Sequence, residues 1–248
     1  MRLDVYMTEK GLCESRKKSS DLIKNQQVFV DGKCISKPSF DVDEQSYVEI
    51  KGDVCSYVGR GGLKLEGAIK AFSLDFNGKI CADIGSSTGG FTDCMLQNGA
   101  KKVYAIDSGK DQLHGKLRAD NRVVCMEGVN ARYLTADFLG EKCDIVTMDV
   151  SFISQTLLYQ AVKNILKDGG LFVSLIKPQF EAGKEHIGKK GIVKDEKIRK
   201  QVCENIIEQA AVYGLEKIGL TDSPILGGDG NKEFLVLFKY KVSEKEIC

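Results

Sequence analysis

The sequence predicts an α/β protein built on a parallel sheet covered on both faces, preceded by a small α+β module. Three observations carry this. Apolar strand-length runs at 80–84, 103–106, 123–126, 144–148 and 171–176 are mostly separated by helix-compatible stretches, the alternation of a doubly covered parallel sheet. The run from Ile80 through Asp83, Gly85, Gly89 and Gly90 to Thr92 reads as a buried strand, a glycine-rich turn and a helix start. The first fifty residues follow another pattern, with very short strands around an Asp-Gly pair.

Taken in order, the chain opens with a short helical segment and a basic stretch over 15–24 holding Arg16, Lys17, Lys18 and Lys24. Strands around 28–33 are joined at Asp31-Gly32, a hairpin signal, and a third strand over 47–50 completes the module. Residues 51–60 read as a linker with glycines that invite bending, although Cys55, Tyr57 and Val58 are apolar enough to dock on a neighbour. The module is bounded at 1–58, the linker ends over 59–62, and the second domain runs over 63–242. That domain begins with an amphipathic helix over 63–72, with Leu65, Ile69 and Phe72 on one face. It ends with a helix near 196–213 and a strand pair at 215–220 and 234–240 that forms a hairpin edge.

Composition narrows the function classes. With 248 residues, 36 basic and 35 acidic side chains and a net charge of +1, no global field announces a polyanionic partner, so local patches must carry that argument. Nine cysteines without a Cys-x-x-Cys pair, and two histidines, argue against a structural metal site. Their odd number, with no leading signal sequence, points to reduced thiols and a cytoplasmic location. No apolar run approaches the roughly 20 residues of a membrane-spanning helix.

The glycine turn points to a nucleotide-like ligand. A dinucleotide fingerprint would be Gly-x-Gly-x-x-Gly, and the spacing of Gly85, Gly89 and Gly90 departs from it. Asp83 at the first strand end would repel a pyrophosphate and favour a cationic amino-acid group, while Asp107, ending the next strand, is placed for ribose hydroxyls. S-adenosylmethionine meets both demands, with a purely structural glycine turn as the bland alternative. Its expected contacts are Asp83, Gly85, Ser86, Ser87, Thr88, Gly89, Gly90, Phe91, Asp107 and Asp149. Lys64, Asp149, Lys177 and Glu233 are the charged candidates for chemistry. Asp149 and Lys177 end apolar strands, where sheets of this kind bind ligands, and a buried lysine there demands a carboxylate partner. As a structural alternative, Lys177 caps the sheet and Asp149 merely neutralises it.

Four motifs in order then carry a resemblance: Asp83 to Thr92, Met148-Asp149-Val150-Ser151-Phe152-Ile153-Ser154, Ile176-Lys177-Pro178-Gln179-Phe180-Glu181, and Gly230-Asn231-Lys232-Glu233-Phe234-Leu235. Together they resemble the TlyA (haemolysin A) group of ribosomal RNA 2′-O-methyltransferases over nearly the whole chain, with one departure at Val129, where the family more often carries threonine. The resemblance implies a Rossmann-like class I methyltransferase sheet of the FtsJ type behind an S-four-type RNA-binding domain. It puts a Lys-Asp-Lys-Glu tetrad on Lys64, Asp149, Lys177 and Glu233, and adds Asn130 to the cofactor contacts. It also implies ribosomal RNA or ribosomal subunits as partner and cytidine as the acceptor. Lys177 would activate the ribose 2′-hydroxyl, Asp149 would orient the Lys177 ammonium, and Glu233 would hold Lys64 or the ribose in register.

RNA contacts are expected at Arg16, Lys17, Lys18, Lys24 and Arg60, and on a basic, glycine-rich loop with Lys184, Lys189 and Lys190. A solvated charge run is the bland reading of the same residues. Three further readings compete: a non-catalytic RNA-binding assembly factor, a nicotinamide oxidoreductase, and the membrane lysis that the haemolysin label brings to mind.

Overall fold

An Asp-Gly turn organises the beginning of the chain. Asp31 and Gly32 both take positive φ, 49° and 79°, the twist of a type I′ hairpin, and they set Val30 opposite Lys33. The structure is a computed structural model that describes all residues except 25–26, 51–55, 189–190, 228–229 and 243–248. It divides into two units, Met1–Val54 and Cys55–Cys248.

In the first unit, helices α1 (Leu3–Glu9) and α2 (Arg16–Lys24) accompany strands β1 (Val28–Val30), β2 (Lys33–Ile35) and β3 (Val48–Ile50). The sheet is antiparallel in the order β2-β1-β3. Leu3, Met7, Ile23 and Val28 are fully buried and form the centre of its core. Asp4 is buried with them and accepts hydrogen bonds from Arg2 Nε at 2.9 Å and Arg16 Nη2 at 3.2 Å. The Arg2 hydrogen bond, joined by that of Arg16, holds its carboxyl at about 2.

The second unit contains α3 (Gly61–Phe72), β4 (Ile80–Ile84), α4 (Gly90–Gln97), β5 (Lys102–Asp107), α5 (Gly115–Arg118), β6 (Val123–Glu127) and α6 (Ala136–Leu139). After these come β7 (Cys143–Met148), α7 (Tyr159–Ile165), β8 (Leu166–Ile176), α8 (Pro178–Glu181), α9 (Glu196–Ala211), β9 (Leu215–Asp222) and β10 (Phe234–Tyr240). The seven strands lie in the order β6-β5-β4-β7-β8-β10-β9. Strands β4 to β8 are parallel, and β10 runs antiparallel to both β8 and β9. One face is covered by a cluster including Tyr159, Ile165 and Ile206, the other by one including Leu65, Phe91 and Leu117. The fold is therefore the doubly covered α/β sheet expected, with the hairpin edge formed by β9 and β10.

Strand β8 begins earlier than the 171–176 expected. Leu166 pairs with Cys143 before the register shifts and Leu171 meets Ile145. Lys167 Nζ ties the irregular stretch to Asp144 Oδ1 at 2.7 Å. The topology switches at β4, whose neighbours β5 and β7 lie on opposite sides, and the crevice beyond the carboxyl ends of β4 and β7 is where such sheets take ligands. Of the expected linker, 51–55 lie outside the described residues. Its described remainder docks on α4: Tyr57 is buried, Val58 N–H donates to Asp93 Oδ2 at 2.8 Å, and Ser56 O accepts from Gln97 Nε2 at 2.9 Å.

Candidate active site

Four separate segments deliver charged groups to the crevice. Asp149 leaves β7, fixed there by its N–H to Ile84 O at 3.0 Å, and Lys177 leaves β8 just before Pro178 starts α8. Lys64 lies on the buried side of α3 with Leu65 and Ala68, and Glu233 immediately precedes β10. Lys64 Nζ is 2.7 Å from Glu233 Oε2 and 4.0 Å from Asp149 Oδ2. Lys177 Nζ is 2.5 Å from Asp149 Oδ1 and donates to Ser151 Oγ at 2.8 Å. The result is an alternating row, Lys177, Asp149, Lys64, Glu233. Side-chain exposures of 11%, 19%, 11% and 2% along it make the alternation necessary, because an unpaired charge at that depth would be expelled or neutralised.

The glycine turn forms the other wall. Gly85 has φ +81°, and a Cβ there would lie 2.5 Å from Asp149 O, so only glycine lets the turn close against the β7 end. Gly89, at φ +96°, precedes α4. A cleft of about 200 Å³ is lined by Gly61, the turn residues 85–88, Gly90 and Phe91, together with Asp149, Ser151 and Lys177. Ser86 Oγ is buried beside it with no hydrogen-bond partner among the described residues. Asp107 sits half-buried across the turn, accepting from Ser87 N–H at 2.8 Å and Gly109 N–H at 2.7 Å. An orphaned hydroxyl, a helix N-terminus and the Asp149 carboxylate, with Asp107 bonded to the back of the turn at Ser87, make a polar pocket suited to a ligand carrying both an amino acid and a ribose.

The expectation for Asp83 needs correction. Its carboxyl is fully buried, accepting from Thr92 Oγ1 at 2.7 Å and Thr147 Oγ1 at 3.2 Å, and does not line the cleft. Burial, only partly offset by the two threonines, pushes it up to about 7. Asp83 therefore braces the turn from beneath, and the carboxylate that does reach the cleft is Asp149. Asn130 is exposed, its Oδ1 accepting from Arg132 N–H at 3.1 Å.

Of the basic candidates, Lys17, Lys24 and Lys184 are exposed, and Lys18 is half-buried near Glu14. Arg16 is exposed but engages Asp4, and Arg60 Nη2 donates to Leu226 O at 3.3 Å. Lys189 and Lys190 lie outside the described residues. Sequence reasoning gave no role to Ser151, which shares Lys177, nor to Phe152. The latter is 91% exposed at φ +64°, its ring 5.1 Å from that of Phe180. It also overlooked Glu127, whose carboxylate accepts from the N–H groups of Asp111, Gln112 and Leu113 and from Arg118, shaping the loop after Asp107. A carboxylate at a strand end opposite another was the available signal, since β6 ends beside β5.

Residues 57–240 match the FtsJ-like methyltransferases. The chain belongs to the FtsJ-like methyltransferase family. Residues 1–46 match the S4 domain, which accounts for the first unit. YqxC of Bacillus subtilis is 49% identical over 95% of this chain and 84% of its own length. The 16S/23S rRNA (cytidine-2′-O)-methyltransferase TlyA of Mycobacterium tuberculosis is 37% identical over 95% of this chain and 88% of its own. A solved structure from Streptococcus thermophilus that carries the hemolysin name is 45% identical, with a TM-score of 0.79 over 98% of this chain and 89% of that one. In this FtsJ-like chain no helix among the described residues is long and apolar enough to cross a membrane. Among those residues no group of three or more His, Cys, Asp or Glu could hold a metal.

Proposed function

We propose that this chain methylates the 2′-hydroxyl of a ribose, that of a cytidine, in ribosomal RNA, with S-adenosylmethionine as donor. The observation that carries the reading is the alternating row Lys177, Asp149, Lys64, Glu233, whose first two members line the glycine-turn cleft. The name of the mycobacterial relative supports the acceptor, and the S4 domain supports RNA as the partner. An rRNA substrate implies work in the cytoplasm, where ribosomes are assembled.

Ser86, the backbone of the turn, Asp107 and Asp149 would hold the cofactor. When bound, S-adenosylmethionine supplies a methyl group activated by positive sulfur. The protein's share of the work is alignment, which can contribute up to about 7–11 kcal/mol. Lys177 Nζ donates to Ser151 Oγ and lies in ion contact with Asp149, so it is held where it can orient the attacking oxygen; once it has given one proton to solvent, the amine takes the hydroxyl proton as the methyl group leaves sulfur for oxygen. Asp149 fixes that ammonium from one side, while Lys64, clamped by Glu233, fixes Asp149 from the other. Phe152 presents an exposed aromatic face beside Ser151, suited to stacking a base drawn out of the RNA. Exposed Lys17, Lys24 and Lys184 supply phosphate contacts.

The test is turnover with purified ribosomal subunits and labelled S-adenosylmethionine. Wild type transfers label, and Lys177→Ala loses transfer while keeping cofactor affinity. A non-catalytic assembly factor would bind subunits and transfer none.

A further inference from the structure

One carboxylate near the site has no part in the proposed chemistry, yet it joins the two segments that carry that chemistry. The loop leaving Asp149 passes Ser151 and Phe152 to reach Ser154 and Gln155, and the turn leaving Lys177 enters α8 and ends at Glu181. Glu181 Oε2 accepts from Ser154 Oγ at 2.7 Å, and Oε1 accepts from Gln155 N–H at 2.9 Å. Gln155 is buried and held in turn, its Oε1 accepting from Tyr159 OH at 3.2 Å and from Ser174 Oγ on β8. The Phe152 and Phe180 rings meet between the two segments.

Keeping a carboxylate here carries a cost. Burial pushes Glu181 above the usual carboxylate range, against the pull of its Ser154 and Gln155 hydrogen bonds, so the group spends stability to make two directed contacts. Those contacts close the loops on each other a few residues beyond the Asp149 to Lys177 ion contact. Glu181, Ser154 and Gln155 all stay out of the lining of the cofactor cleft.

We propose that Glu181 is a positioning residue, clasping the Asp149 loop to the Lys177 turn so that Lys177 Nζ is held where the ribose oxygen must lie. This inference rests on the tetrad reading above. Because the clasp acts on alignment and does not touch the cleft, its loss should appear in kcat and leave cofactor affinity alone. A displacement of about 1 Å in a reacting group costs on the order of 10²-fold in rate.

The experiment uses the full-length protein, unmethylated ribosomal subunits and labelled S-adenosylmethionine, with cofactor affinity measured by calorimetry. Glu181→Ala is expected to lower kcat by about 10- to 100-fold, with the cofactor Kd and the KM for subunits within about twofold of wild type. Glu181→Gln is expected to keep at least about a third of the wild-type kcat, since its carbonyl accepts from Gln155 N–H and its amide donates to Ser154 Oγ. Wild-type kcat in Glu181→Ala overturns the clasp, as does a loss that tracks cofactor Kd, or a Gln variant as impaired as the Ala variant. If Glu181→Ala does not fold, Ser154→Ala removes one of the two contacts. It should lower kcat by about 3- to 10-fold at unchanged Kd, and an unchanged kcat overturns the proposal. Wild-type protein without turnover would instead sink the functional reading, and the clasp with it.

Discussion

Removing both partners of the Lys64–Glu233 pair should destabilise the fold by clearly less than the sum of the two single removals. Their side chains are 11% and 2% exposed and 2.7 Å apart, while Asp149 lies 4.0 Å from the same ammonium. At an effective dielectric of about 20, the attraction is about 6 kcal/mol to Glu233 and about 4 kcal/mol to Asp149. Glu233→Leu strips the larger contribution and leaves Lys64 buried against the weaker one. Breaking a buried pair from one side costs about 3–5 kcal/mol, and the remaining Asp149 contact puts the expected loss near about 3 kcal/mol. At roughly 2–4 °C per kcal/mol for a domain of this size, the melting temperature should fall by about 6–12 °C. Lys64→Met should cost a similar amount. The double variant, which leaves no orphaned member of that pair, should recover at least about 2 kcal/mol relative to the sum of the single losses. Urea unfolding of the four proteins measures this directly, and turnover in the double variant should stay absent despite the recovered stability. Single losses that add to within about 0.5 kcal/mol would refute the claim that the row is held together by its alternating charges.

Asp83 and Asp107 should separate cleanly: Asp83→Asn leaves cofactor affinity within about threefold of wild type, whereas Asp107→Ala weakens it by about tenfold or more, as one lost charge-assisted contact of about 1.5–3 kcal/mol implies. Calorimetry with the donor decides it. The same Asp83→Asn variant should change the pH dependence of stability. The native carboxyl binds its proton up to about 7 and the unfolded one only to about 3.8, so this group's contribution falls as pH rises through that window and stays flat above it. The variant should therefore gain on wild type in urea unfolding between pH 5 and pH 8. Glu127 runs the opposite way. The Arg118 hydrogen bond, followed by backbone N–H bonds led by that of Leu113, holds it at about 2 against an ordinary 4.5, so its stabilisation is complete above 4.5 and lost as pH falls toward 2. Glu127→Gln should flatten the acid limb of the unfolding curve and loosen amide protection at 111–113 in hydrogen exchange. In the S4 unit, combining Lys17→Ala with Lys24→Ala should lower the salt slope of subunit binding by about 1–2 without changing kcat at saturation.

How far the sequence could be read depended on whether a feature is local. The strand Ile80–Ile84 and the Asp31-Gly32 hairpin depend on their own residues and appear where the text puts them. Asp149 and Lys177 were legible as a pair because both end strands of one sheet, and strand ends converge in a parallel α/β fold; the resemblance joined residues 64 and 233 to them. What a side chain faces across the sheet was not legible. Asp83 sits opposite Thr147 in the β4 to β7 register, and that pairing, set by two strands more than sixty residues apart, turns its carboxyl toward threonine hydroxyls and away from the ligand. The early start of β8 was hidden for a similar reason, since its first residues are tied to β7 by the Leu166 to Cys143 pairing and by the Lys167 contact to Asp144. Glu181 could be quoted as part of a motif, but its partners Ser154 and Gln155 belong to a different loop.

The central claim is that the row headed by Lys177 directs methyl transfer to a ribose 2′-hydroxyl. Mapping 2′-O-methyl groups by resistance to alkaline cleavage, in ribosomal RNA treated with wild-type protein or with Lys177→Ala, tests it most directly. The account predicts a new cleavage-resistant cytidine with wild type and none with Lys177→Ala, the two proteins binding S-adenosylmethionine equally. A methyl group found on a base, or an equal ribose signal from Lys177→Ala, would contradict it.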